Sequence, residues 1–197
     1  MNVKEKIESF FGRYPLRIYE KDEVIIRPGD TSRAYYIAEG VVAQYDISGS
    51  GDKLVVNLYK PGVFLPIATI LNDVGEEFFF EATEKVVARI APREDVARFL
   101  EENSDVTLNA LQRMSRGSSG LMMRLARVME GSAEGRILLE LEIMQARFST
   151  NDSGIAITEA RLASQTGLAR ETVSRALTRL KENGVLETKR GKITLKK

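Results

Sequence analysis

Arg170, Glu171, Ser174 and Arg175 stand within six residues of one another in the segment ARETVSRALTRLKENG, where apolar residues recur at helical spacing. An Arg guanidinium offers a bidentate fork of donors to guanine, a Glu carboxylate accepts from a cytosine amino group, and a Ser hydroxyl does either. Set along the outer side of a helix, these side chains suit the reading of base edges in a major groove. They do not form a catalytic constellation, and no catalytic residue is assigned.

Such a helix needs a partner to hold it, and the residues just before it supply one. Ala163 is small where a first helix must touch a second. Gly167 comes four residues later at the turn, where a residue without a Cβ takes positive φ cheaply. Val173 comes six residues on and faces Ala163, while Leu162, Leu168, Leu177 and Leu180 complete the apolar stripe. The spacing predicts a helix-turn-helix across residues 158–184. Thr158 is placed to cap the first helix. Ala169 leaves the second without a side-chain cap, a loss of about 0.5–2 kcal/mol.

A plain helical hairpin with a solvated charged face fits the helix pair, but it does not account for residues 185–195. Val185–Thr188 and Lys192–Leu195 read as two short strands joined at Lys189-Arg190-Gly191, the wing of a winged helix. Upstream, residues 149–154 form a polar loop before Ile155-Ala156-Ile157. Charge is divided unevenly: residues 150–197 carry ten Lys/Arg against five Asp/Glu, and residues 1–149 carry nineteen against twenty-three. The basic end is where phosphates would be met, by Arg179, Lys189, Arg190 and Lys192, with Thr172 beside them on the reading helix. Lys196 and Lys197 read as a solvated tail.

The chain has 197 residues, enough for one large and one small domain with a sizeable core. No apolar run approaches 18 residues and no signal peptide is evident, so a soluble cytoplasmic protein without a membrane partner is expected. There is no Cys and no His. That excludes disulfides, thiol sensing and Cys-ligated iron–sulfur clusters, and removes the commonest haem and zinc ligand. No metal and no cofactor is expected.

Residues 16–91 read as β structure, with short Val-, Ile- and Tyr-rich runs at Glu23–Arg27, Ala34–Ala38, Val41–Asp46 and Lys53–Leu58. Glycines at 29, 40, 51 and 62 keep an eleven-residue beat, and Pro28-Gly29-Asp30 and Lys60-Pro61-Gly62 are turns in which Pro presets φ and Gly tolerates the reversal. Evenly spaced turns between short strands indicate a jelly roll or β-roll. A cupin-type jelly-roll enzyme is the competing class; it needs several His for its metal, and this chain has none.

Pro92–Glu101 reads as a short helix and Ser104 begins a longer one. Leu111, Met114, Ser118, Leu121, Leu125 and Val128 recur at three- and four-residue spacings, a two-stranded coiled-coil seam that predicts a homodimer. Gly117-Ser118-Ser119-Gly120 weakens it locally, each Gly costing about 1 kcal/mol relative to Ala, a point where an effector could shift helix register. Gly131-Ser132-Ala133 is a hinge, and Ile137, Leu138, Leu141, Met144 and Phe148 give Glu134–Phe148 a helical core face. The domains expected are a sensor roll with flanking helices over residues 1–103, a dimerisation helix over 104–130 and a winged helix-turn-helix over 131–197. The fold class is α+β.

Residues 158–195, the hexad Arg170-Glu171-Thr172-Val173-Ser174-Arg175 above all, resemble the CRP/FNR family of bacterial transcription regulators, and the likeness extends over nearly the whole chain. The resemblance implies that Arg170, Glu171 and Arg175 read a half-site containing TGA. Ser174 is similar to the FNR branch, where a Ser contacts thymine, whereas Arg170 is similar to the CRP branch, so the outer bases stay open. Double-stranded DNA, a second copy of the chain and RNA polymerase are the implied partners.

The resemblance also makes the roll a cyclic-nucleotide-binding type. That family's cassette runs Gly-x-x-x-Gly-Glu-Leu, with Arg-Ser or Arg-Thr some ten residues on. Here the stretch is Gly62-Val63-Phe64-Leu65-Pro66-Ile67-Ala68, no Arg occurs between 34 and 88, and Glu76-Glu77-Phe78-Phe79-Phe80 stands in the Arg-Ser region. A cyclic phosphate would be buried there without a partner. Leu121 and Met122 fall where the family offers hydroxyls to adenine. Phe64, Pro66, Ile67, Phe78, Phe80, Leu121 and Met122 are therefore candidates for an apolar or aromatic effector, as in the branch that senses aromatic compounds. The alternatives are rings that merely fill the roll of an effector-independent regulator, or a cyclic-nucleotide receptor with an atypical cassette.

Overall fold

Four glycine turns punctuate the N-terminal half: Gly29, Gly40, Gly51 and Gly62 have φ between 84° and 89°, so the eleven-residue beat is a beat of chain reversals. Gly40 is the most constrained. A Cβ there would run into the Lys85 carbonyl oxygen and lie 2.9 Å from Val86 Cα. The computed structural model describes the chain except Thr31, Ser50, Asp73, residues 149–153, Arg190, Gly191 and Lys197, and the side chains of Glu130, Arg147 and Phe148. The expected loop over 149–154 and the turn of the wing thus lie largely outside the described residues.

Between the turns run β1 (Leu16–Tyr19), β2 (Val24–Ile26), β3 (Arg33–Glu39), β4 (Val42–Ile47), β5 (Lys53–Tyr59), β6 (Val63–Leu65), β7 (Phe79–Ala82) and β8 (Val86–Pro92). They form two four-stranded sheets, ordered β1-β8-β3-β6 and β2-β7-β4-β5. Alternation along each strand decides what lies between them. Tyr35, Ile37, Leu65, Val86 and Ala88 of the first sheet meet Ile26, Val42, Phe80 and Ala82 of the second in one buried core. The opposite face of the first sheet carries Ala34, Tyr36, Phe64 and Ala91 into a second core.

That second core is covered by three short helices and by Val106 at the start of the long one, and of the short ones helical spacing marks only the last. α1 (Val3–Phe11) starts on a capping box, Asn2 accepting from the Glu5 backbone while the Glu5 carboxylate accepts from Asn2. It buries Ile7, Phe10 and Phe11. α2 (Ile67–Asn72) supplies Ile70, and α3 (Arg93–Glu102) supplies Val96, Phe99 and Leu100. Phe10 stacks on Phe99 at 4.1 Å between centroids, and Phe11 on Tyr36 at 5.1 Å. Each fully buried ring of this kind contributes about 1.5–3 kcal/mol. Pro92 is the N-cap of α3 rather than part of its first turn.

α4 (Ser104–Glu130) is continuous through Gly117–Gly120. After it come α5 (Ala133–Phe148), β9 (Ile155–Ala156), α6 (Glu159–Thr166), α7 (Arg170–Glu182), β10 (Leu186–Lys189) and β11 (Lys192–Leu195). The last two strands are the expected wing, and β9 adds a third strand to its sheet in the order β10-β11-β9. A third core joins Ile137, Leu141 and Met144 of α5 to Leu162 of α6, Val173, Ala176 and Leu180 of α7, and Ile155, Leu186 and Ile193 of the sheet. The chain divides into two compact units, Met1–Asp46 with Val55–Ser115, and Ile47–Leu54 with Arg116–Lys197. The division falls inside α4 rather than at its start.

Candidate nucleic-acid interface

The helix pair is built as its residues dictate. The Thr158 hydroxyl accepts from the Arg161 N–H at 3.2 Å and starts α6. Gly167 ends it at φ 66°, with its N–H donated to the Ala163 carbonyl. Ala169 is the N-cap of α7 and makes no side-chain cap bond, so its carbonyl alone receives the Thr172 and Val173 N–H groups. Val173, Ala176 and Leu180 are buried, and Leu168, Leu177 and Ala163 pack around them. On the other side of α7 Arg170, Glu171 and Arg175 are exposed and Ser174 is half-buried. Arg175 Nε donates to the Glu171 carbonyl at 3.3 Å, which lays its side chain along the helix.

The residues assigned to phosphates are less uniform than their charges suggest. Arg179 turns back to the Glu134 carboxylate of α5 at 3.2 Å. The Glu134 carboxyl is held below the usual range, first by its own backbone N–H and then by Arg179. Lys189 lies 3.4 Å from Glu187, whose other oxygen holds Lys196 at 2.6 Å. Lys196 is thereby part of the wing rather than a solvated tail. Lys192 and Thr172 are exposed and half-buried respectively, and Arg190 is outside the described residues.

Beside the outer face of α7 a groove of about 360 Å³ runs between the helix and the wing sheet. It is lined by Ser174, Leu177, Thr178 and Lys181 of α7, by Thr188 and Ile193 of the wing, and by Ile157 and Glu159. The sequence pattern does not single out Thr178, Lys181 and Thr188, because their closeness depends on the wing folding back on the helix.

α4 carries a broad apolar stripe to the surface. Leu111, Met114, Leu121, Leu125 and Val128 are 38–60 % exposed, and Leu108, Met122 and Met129 widen the same face. In the roll, the rings expected to line one pocket are divided between two cores. Phe80 is 1 % exposed inside the roll with Phe78 packed beside it, whereas Phe64 pairs in register with Tyr36 and faces α1 and α3. Phe64 therefore does not line a cavity with Phe80, because strand alternation turns the two to opposite sides of the first sheet. Phe79 stacks on Tyr45 at 5.2 Å, on the other face of its strand from Phe80. Pro66 is buried, Ile67 packs on the core that holds Phe64, and Leu121 and Met122 are exposed on α4.

With this geometry in view, two family models cover most of the chain: a Crp-like helix-turn-helix domain over residues 135–197 and a cyclic nucleotide-binding domain over residues 16–103. The chain belongs to the CRP/FNR family of transcription regulators. Among its relatives, the transcriptional regulator SdrP of Thermus thermophilus is 27 % identical over 85 % of this chain and 81 % of its own length. The global nitrogen regulator of Nostoc is 24 % identical, covering 94 % and 88 %. In fold the chain is similar to the c-di-GMP-responsive regulator CLP of Xanthomonas campestris, with a TM-score of 0.81, 19 % identity and 98 % and 99 % of the two chains covered. FixK2 of Bradyrhizobium japonicum gives 0.77, with 19 % identity and 93 % of each chain covered. Like other CRP/FNR members the protein is a DNA-binding transcription regulator, and the helix pair with its wing is the part built for that work. Among the described residues no helix is long and apolar enough to cross a membrane.

The CRP/FNR frame gives meaning to Glu76, which sits in the stretch where the family carries Arg-Ser. The residue is 8 % exposed, and its carboxylate accepts the Glu77 and Phe78 N–H groups at 3.1 Å each and the Thr69 hydroxyl at 3.3 Å. The Glu77 and Phe78 N–H groups are thus engaged by the chain itself. Arg136 donates to the Val128 carbonyl at 3.1 Å and so closes the last turn of α4.

Proposed function

We propose that the protein acts as a homodimer that reads an inverted repeat with TGA-type half-sites. Glu171 accepts from a cytosine amino group, Arg170 and Arg175 take guanine O6 and N7, and Ser174 meets a thymine. Thr172, Arg179, Lys189, Arg190 and Lys192 bind phosphates, and the α7–wing groove runs along the backbone beside them. The observation that carries this reading is the division of α7 into a face buried on α5 and α6 and a face of Arg, Glu and Ser turned outward. The apolar stripe of α4 serves as the seam between protomers, placing two reading helices about 34 Å apart. RNA polymerase is the machinery on which such a regulator acts.

The roll works without a cyclic nucleotide. Its donors near residue 77 hold Glu76, and Phe64 and Phe80 are committed to separate cores, which supports effector-independent binding over a pocket for an aromatic ligand. Selection of bound duplexes from random DNA, with and without small metabolites from a cell extract, tests both statements. The expected result is the same TGA-containing palindrome under both conditions. Recovery of no such palindrome overturns the base assignments, and a palindrome that appears only with metabolites overturns effector independence.

A further inference from the structure

We propose that Arg124 and Glu140 form the positioning pair that sets the direction of the reading helix relative to α4, and with it the half-site spacing that the protein accepts. Arg124 Nε and Nη2 donate to the two carboxylate oxygens of Glu140 at 2.8 and 3.0 Å. The Glu140 side chain is 3 % exposed and that of Arg124 20 %. Such a fork-on-fork contact fixes orientation as well as distance. Burying two charges is costly, and an apolar pair would hold two helices together while leaving them free to slide and turn.

The need for a directional contact comes from the link between the helices. Only Gly131 and Ser132 separate α4 from α5, and Gly131 has φ 77°. A two-residue link with a glycine does not by itself dictate the angle between two long helices. α5 in turn is part of the reading domain: Ile137, Leu141 and Met144 lie in one core with Val173 and Leu180, and Glu134 holds Arg179 of α7. Orientation therefore passes from α4 through Arg124–Glu140 into α5, and from α5 into α7. The Arg136 bond to Val128 closes the hinge itself but is exposed.

The consequence for spacing rests on the dimeric reading through α4. Each base pair added between half-sites moves the second by about 3.4 Å and turns it by roughly a tenth of a helical turn. A rigid α4–α5 angle admits one spacing; a loose one admits neighbours. The test uses the full-length protein and a panel of inverted repeats with the selected spacer and spacers one or two base pairs longer or shorter. Arg124→Met/Glu140→Leu removes the pair while leaving no unpaired buried charge, a replacement usually close to neutral for stability. Arg124→Glu/Glu140→Arg exchanges the partners.

The wild type is expected to prefer one spacing by about tenfold or more. The apolar double variant is expected to bind the neighbouring spacings about equally, with base preference inside each half-site unchanged, and the exchanged pair to restore part of the preference. A dimeric wild type with strict spacing whose apolar variant keeps that strictness overturns the role given to the pair. A wild type that sediments as a monomer and is indifferent to spacing overturns the dimeric reading beneath it.

Discussion

The proposed division between base-reading and phosphate-binding side chains is measurable one residue at a time. Arg175→Ala is expected to lose about 1–3 kcal/mol of discrimination at one base position, seen as relaxed preference in competition binding with substituted half-sites. Lys192→Ala is expected to weaken all sequences alike and to reduce the slope of log affinity against log salt by about one. At the same scale the structure exposes a weak point. Gln165 on α6 is 7 % exposed, and neither polar atom of its amide has a hydrogen-bond partner among the described residues. Gln165→Leu is expected to raise stability by about 1–2 kcal/mol in denaturant unfolding, since burying an unpaired amide costs about that much. The candidate base-reading residues are legible because type and spacing suffice on a helix. The engagement of Arg179 with Glu134 is not, because those partners lie 45 residues apart.

At the scale of elements, periodic features are legible in the chain and local ones that depend on a neighbour are not. The glycine beat marks four of the roll's reversals, and the three-and-four spacing marks α4. α2 leaves no such mark because its six residues span under two turns, too few for a period to show. α1 has a capping box at Asn2 and Glu5, a signal that could have announced it. The aromatic residues of the roll divide: the resemblance groups Phe64 with Phe80 in one candidate effector pocket, and strand register sends them to different cores. Glu76 at the start of the Arg-Ser region leads to a direct prediction. Calorimetric titration with cyclic AMP and cyclic GMP is expected to show no heat of binding to the purified protein, whereas saturable binding would return the roll to the nucleotide-receptor class.

At the scale of the whole molecule, α4 presents a broad exposed apolar face among the described residues. Contiguous exposed apolar surface of this extent on a 27-residue helix marks an interaction face. Leu125 is 60 % exposed in the single chain, so Leu125→Asp is expected to leave the chain folded. Sedimentation velocity is expected to show a monomer, and affinity for the full palindrome to fall about 100-fold or more towards that of a single half-site. Unchanged sedimentation in that variant would place the dimer contact elsewhere.

Residue type and spacing by themselves determined that the chain is a β-roll, a long amphipathic helix and a winged helix-turn-helix, and which side of α7 is turned outward. Each of those rests on short-range periodicity, whether 2, 3.6 or the interval between turns. Only the tertiary structure decided which side chains meet across long sequence separations. It joined Arg124 to Glu140, turned Arg179 to Glu134, put Thr178 and Thr188 on one groove and set Phe64 against α1 rather than Phe80. Such pairings depend on strand register and on helices packing side by side, and no local pattern in the chain records either.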